Sequence, residues 1–250
     1  RLYKPEGLAD PAPTLLYLHG GGWALCSPDT HDALCRRLAR AGGFAVASLD
    51  YGLAPEHPFP EPVEDCVAAA RWLAENGLEL GLDASRMAIG GDSAGANLSL
   101  ATLMALRDRG TQLFTAGVLI YGMYDDDFTT ESHQAFGEGF YLTTDDIMWF
   151  WEQYIPDPVK RHDPLAAAIH GDLNNLPPLY VTAAALDPLK SDSDKLASKL
   201  GQAGAEFEYQ VWPGVTHACL MMSRMLDRAD DFIADIAQFV DQRLGGGPVG

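Results

Sequence analysis

Two glycine-rich stretches in this chain could act together on a carbonyl carbon. Gly91-Asp92-Ser93-Ala94-Gly95 sets a serine between two glycines, and a hydroxyl held on a sharp strand-to-helix turn is placed to attack and form an acyl intermediate. A helix starting at the serine also aims its first amides at any negative charge that develops there. His19-Gly20-Gly21-Gly22-Trp23 is the second stretch. Residues without side chains let backbone N–H groups come close to a substrate oxygen, as stabilising an oxyanion requires.

A serine hydroxyl is a weak nucleophile until a base takes its proton, and the base needs a third group to orient it. Asp187, in Leu186-Asp187-Pro188-Leu189, and His217, in Gly214-Val215-Thr216-His217, each follow a β-rich run. Sites in open α/β sheets gather at the carboxyl ends of strands, where both would stand. Asp192 and Asp194 compete for the acid's place but fall where the next helix should begin, and they read as N-terminal caps. Of the other histidines, His133, His162 and His170 lie in a long strandless stretch, His57 in a proline-rich loop and His31 early in a helix. No spacing among the seven histidines suggests metal ligation, so neither a metal nor a cofactor is expected. The rival reading of the glycines is a dinucleotide-binding turn. Neither cluster spells G-x-G-x-x-G ahead of a helix, and Asp50 at a strand end is the one other feature that would suit it.

These residues need a sheet to hold them. Short apolar β-rich runs alternate with amphipathic helical stretches, the pattern of a mostly parallel sheet with helices on both faces. Strands are expected at Thr14–Leu18, Phe44–Leu49, Arg86–Gly90, Thr115–Tyr121, Leu179–Ala184 and Glu206–Trp212. Helices are expected at Asp29–Ala41, Pro62–Asn76 with a stop at Gly77, Ser93–Arg109, Ser191–Gln202 and Met222–Val240. The tail Gly245–Gly250 reads as loose. Residues 122–176 break the alternation with a long stretch lacking a clear strand, too long for a simple loop. Thr143 and Asp146 have capping-box spacing ahead of Met148, Trp149, Phe150, Trp151 and Tyr154, so a helix should start there. An insertion of this kind reads as a lid or cap over the site.

Composition narrows the partners. At 250 residues, with 47% hydrophobic and 21% charged residues, the chain reads as one globular domain over 1–250. A net charge of −18 repels phosphate backbones, which argues against nucleic acid. No apolar run is long enough for a membrane span. Cys26, Cys35, Cys66 and Cys219 make neither a disulfide framework nor a zinc signature, and read as small buried hydrophobes in a reducing, cytoplasmic compartment.

Five motifs in order carry a resemblance: His19–Trp23, Asp50–Pro60, Gly90–Asn97, Asp187–Leu189 and His217. The chain resembles the hormone-sensitive lipase family of α/β-hydrolases, the bacterial family IV esterases, in its GDSAG subgroup. The resemblance implies an α/β-hydrolase fold with a cap insertion after the family's sixth strand, and Ser93, Asp187 and His217 as a catalytic triad. It implies an oxyanion hole from the amides of Gly21, Gly22 and Ala94, and hydrolysis of short-chain esters through an acyl-enzyme without cofactor. Trp23, with Trp149, Phe150 and Trp151, is expected to bind substrate and bound the acyl pocket. The partner is then a small-molecule ester, and homodimerisation is left open. Three departures stand out. Gly52 replaces a usual arginine, Ala218-Cys219 replaces Gly-Phe, and the family's first strand and N-terminal cap helices are expected to be missing. Two rivals keep the same scaffold: an amide hydrolase, and a non-catalytic receptor of the gibberellin-receptor kind, which would lack His217.

Overall fold

A computed structural model describes residues 1–223 and 225–245. Its centre is a seven-stranded sheet: β1 (Leu2–Tyr3), β2 (Ala12–Leu18), β3 (Ala45–Leu49), β4 (Leu82–Asp92), β5 (Ala116–Ile120), β6 (Leu179–Leu186) and β7 (Phe207–Thr216). The order across the sheet is β1-β3-β2-β4-β5-β6-β7, with β1 antiparallel to β3 and every other pairing parallel. The central strands β2 and β5 are covered on both faces and buried at every position rather than alternating, whereas the edge strand β7 alternates with exposed residues.

Five helices cover the two faces: α1 (Asp32–Gly42), α2 (Glu61–Asn76), α3 (Ala94–Asp108), α6 (Lys190–Gln202) and α7 (Ala229–Leu244). Leu34, Leu38, Phe232, Ile236 and Val240 of α1 and α7 share one apolar cluster with Tyr17, Val46 and Val118 of the sheet. Val63, Val67, Leu98, Met104 and Leu196 of α2, α3 and α6 share the other with Leu16, Ile89 and Val181. Between β5 and β6, residues 122–176 hold α4 (Glu131–Phe136), α5 (Thr144–Tyr154) and two 3₁₀ turns, Pro158–His162 and Ala168–His170. Thr143 caps α5 through the expected reciprocal box with Asp146.

Some boundaries differ from the sequence expectation. The last helix starts at Ala229 rather than Met222, because Cys219–Met222 closes into a 3₁₀ turn first. The second helix ends at Asn76 with Gly77 as its C-cap, as expected, but the chain then continues as a 3₁₀ turn, Gly77–Leu80, and reverses only at Gly81, whose φ is 68°. Of the tail, Gly245 caps α7 and 246–250 lie outside the described residues. Cys26 is exposed while the other three cysteines are buried.

Candidate active site

Ser93 joins β4 to α3 with φ 54° and ψ −120°, a conformation an L-residue adopts only under constraint. The constraint is close packing. A Cβ on either Gly91 or Gly95 would overlap the carbonyl oxygen of Leu18, so glycine is the residue that lets β2 come this near. Ser93 N–H donates to Ile120 O at 2.8 Å, which fixes the turn against β5.

The three residues read as a relay stand together at the carboxyl ends of their strands. Ser93 Oγ lies 3.0 Å from His217 Nε2, and His217 Nδ1 lies 2.7 Å from Asp187 Oδ2. Leu189 N–H donates to Asp187 Oδ1 at 2.9 Å, holding the carboxylate in line. Tyr121 packs edge-on against His217 with centroids 4.8 Å apart. Ser93, Asp187 and His217 are 6%, 0% and 5% exposed, so these polar atoms interact largely out of water, where such hydrogen bonds strengthen.

Beneath the elbow lies a polar cluster that sequence reading left unassigned. Asp92 Oδ1 accepts from Tyr17 OH at 2.7 Å and from Gly20 N–H at 3.1 Å, and His31 Nε2 lies 3.2 Å away. Burial opposes charge on both His31 and Asp92, yet their mutual attraction outweighs it, raising the imidazole and lowering the carboxyl. Tyr51 donates to His19 O at 2.7 Å and stacks on the His19 ring, which burial holds below the ordinary imidazole range. Through Gly20, this cluster ties the serine turn to the glycine loop. The loop itself runs through Gly21, Gly22 and Trp23 at φ 121°, 58° and 60°. Among the described residues the Gly21 and Gly22 amides donate to no backbone or side-chain acceptor. The Ala94 amide opens α3, where helix amides lack internal partners.

The 122–176 insertion sits on this loop. Tyr154 stacks on Trp23 with centroids 4.3 Å apart and Trp151 meets it edge-on at 5.0 Å. The Phe150 ring occupies the space a Cβ on Gly22 would need. Trp23 was expected to touch substrate, but it is fully buried as a platform for α5 and offers no open face. Trp151 is likewise buried, Trp149 is exposed, and Phe150 is the aromatic that packs over Gly22.

Asp192 and Asp194 are not helix caps. Leu189 holds that position, and Asp192 lies inside α6 with Oδ2 accepting from the amides of Tyr124 and Asp125 at 2.9 and 3.0 Å. Burial pushes its carboxyl well above the usual range. Asp194 pairs with Lys190 at 2.7 Å and accepts from Tyr209 OH. At the departures, Gly52 gives its amide to Asp65, and Ala218 takes φ 58°, the conformation for which glycine is the usual residue.

A hydroxyl, an imidazole and a carboxylate in line above a parallel sheet, on a strained strand-to-helix turn, define a serine hydrolase architecture. A sequence profile of the family described as alpha/beta hydrolase fold matches residues 15–221, and the chain belongs to that family. It is similar to the ethyl acetate hydrolase of Pseudomonas putida, 37% identical over 98% of this chain and 78% of that protein. It is also similar to the carboxylic ester hydrolase LipN of Mycobacterium tuberculosis, 39% identical over 90% of this chain and 61% of that one. The chain thus spans less than two thirds of LipN's length. Among solved structures, a hyperthermophilic esterase from the archaeon Pyrobaculum calidifontis superposes with a TM-score of 0.93 at 37% identity, covering 96% of this chain and 80% of that one.

Proposed function

We propose that this protein is a carboxylesterase that hydrolyses small esters of short acyl chains. The observation that carries the reading is the continuous line Ser93 Oγ, His217 Nε2, His217 Nδ1, Asp187 Oδ2, with contacts of 3.0 and 2.7 Å. The names of its relatives support the choice of ester.

Ser93 Oγ attacks the ester carbonyl carbon as its proton passes to His217 Nε2, and Asp187 steadies the imidazolium. The amides of Gly21, Gly22 and Ala94 receive the oxyanion, each worth roughly 2.7–4 kcal/mol in comparable sites. His217 gives its proton to the departing alcohol, leaving an acyl ester on Ser93. Water then attacks that ester with His217 again as base, and the acid leaves as Ser93 regains its proton. Residues 122–176 act as the cap. Phe150 against Gly22 limits the acyl side, which favours acetyl to hexanoyl chains.

Among the described residues no helix is long and apolar enough to cross a membrane. The four cysteines are unpaired, which supports work in a reducing, cytoplasmic setting. The test is hydrolysis of p-nitrophenyl acetate by wild type and Ser93→Ala, with phosphonate labelling of both. Hydrolysis and labelling should disappear together in a folded variant. A variant that keeps more than a few per cent of wild-type kcat would remove Ser93 from the role, and highest kcat/KM on a palmitoyl ester would overturn the chain-length reading.

A further inference from the structure

The insertion carries a second convergence of donor atoms, on residues the ester chemistry does not use. Asp126 follows β5, His162 ends the turn Pro158–His162, and His170 ends the turn Ala168–His170. His162 Nε2 lies 3.2 Å from Asp126 Oδ2, and His170 Nε2 lies 3.5 Å from Asp126 Oδ1. The two imidazoles stack with centroids 4.6 Å apart, and one donor atom from each of the three residues falls within 4.8 Å of the others. Ligands bound tetrahedrally to zinc at about 2.0–2.1 Å are roughly 3.3 Å from one another. The two nitrogen–oxygen separations already match that edge, so small side-chain rotations would close the set on an ion.

The surrounding charges single out Asp126. Lys195 Nζ reaches Asp125 Oδ2 at 2.6 Å and Asp127 Oδ2 at 3.1 Å, so the flanking carboxylates share a lysine while Asp126 faces the histidines. The Asp126 side chain is 13% exposed, against 65% for His162 and 37% for His170. The anchor is therefore held within the fold while the imidazoles border water, which can fill the remaining coordination positions. Two imidazoles with one carboxylate favour zinc, nickel or copper over calcium and magnesium, which take all-oxygen sets. A net charge of −18 raises the local concentration of any cation.

We propose that Asp126, His162 and His170 form a binding site for a divalent transition-metal ion of the zinc class. The ion clasps three separate segments of the insertion, where backbone ties such as Ile169 N–H to Tyr124 O already bring two of them together. Binding to the folded state alone then stabilises it by mass action.

The test is titration of the chelator-treated full chain with zinc chloride by calorimetry, beside thermal melts with and without zinc. It is independent of ester hydrolysis. The wild type should bind about one zinc per chain, and His162→Ala, His170→Ala and Asp126→Asn should each weaken it roughly tenfold or more. Cys26→Ser should bind as wild type does. Zinc at a hundredfold excess over its dissociation constant should raise the wild-type Tm by roughly 5 °C and leave the His162→Ala/His170→Ala double variant unmoved. Both histidines border water, so these variants keep the fold, which circular dichroism checks. Absence of saturable one-to-one binding to wild type, or unchanged affinity in the double variant, would overturn the proposal.

Discussion

The turn that carries Ser93 and the insertion that rests on it are held by different forces. Around the turn, buried polar groups are joined to specific partners: Asp92 to Tyr17, Gly20 and His31, Asp187 to His217 and Leu189. Where the insertion meets the glycine loop, Trp23, Trp151 and Tyr154 pack through ring faces and edges, while their own N–H and O–H groups have no hydrogen-bond partner among the described residues. Directional bonds fix angles to within narrow limits, whereas ring packing accepts small slides at little cost. The comparison teaches that changes near the turn should lower kcat, while changes in the insertion should alter KM and chain-length preference.

The largest effect that would break this contrast is at the triad acid. Asp187→Asn should lower kcat by about 10⁴, close to 5.4 kcal/mol, with KM little changed. Steady-state kinetics on p-nitrophenyl acetate check it, and a loss under tenfold would detach Asp187 from the relay.

Next comes the ion pair under the turn. His31→Gln leaves Asp92 buried beside a neutral partner, a change costing roughly 3–5 kcal/mol and about 10 °C in Tm near pH 6. The pH dependence has a definite sign. His31 is raised in the folded state, so its contribution is fully present below the ordinary value near 6.5 and is lost as pH rises through the raised one. Asp92 is lowered, so its contribution disappears only in acid, as pH falls through its depressed value. The Tm gap between wild type and His31→Gln should therefore narrow as pH is taken upward from about 6.5. A gap that widened would mean His31 is neutral in the fold.

A smaller change sharpens the comparison from the other side. Phe150→Ala removes the ring above Gly22 and should raise KM on acetyl esters roughly tenfold while moving preference toward octanoyl, with kcat nearly kept. Equal falls in kcat on every chain length would place Phe150 with the turn rather than the cap. Smallest of all, Asp192→Asn keeps an oxygen for the Tyr124 and Asp125 amides and removes a carboxyl that burial disfavours as an anion. Its kcat should stay within roughly threefold of wild type, with Tm equal or higher.

How far the sequence discloses all this depends on the range of the interactions. Ser93 and the Gly20–Gly22 loop are legible because a strained turn and a close backbone approach demand glycine at fixed neighbouring positions. Asp187 and His217 are legible as residues that follow strands, although β6 and β7 run on to Leu186 and Thr216, past the ends expected at Ala184 and Trp212. Asp192 misleads because an acidic residue near a helix start is a cap in most settings, and its partners, Tyr124 and Asp125, are remote in the chain. The Asp92–His31 pair and the Asp126–His162–His170 cluster are missed for the same reason. Only the path of the chain through the sheet and the insertion brings them together, and no short spacing announces that.

The contact between Phe150 and Gly22 bears on which sequence changes this lineage can accept, and in what order. A side chain at position 22 collides with the ring while Phe150 is in place, and it must also adopt φ 58°, at roughly 1–2 kcal/mol for an L-residue. Once position 150 is small, that collision is gone and the backbone cost stays. Gly22→Ala is therefore barred before a reduction at 150 and merely unfavourable after it, a dependence that makes the pair strongly non-additive. Descendants that diversify position 22 should carry the smaller residue in the cap first, so what the glycine loop can accept is partly set by a ring in another part of the fold.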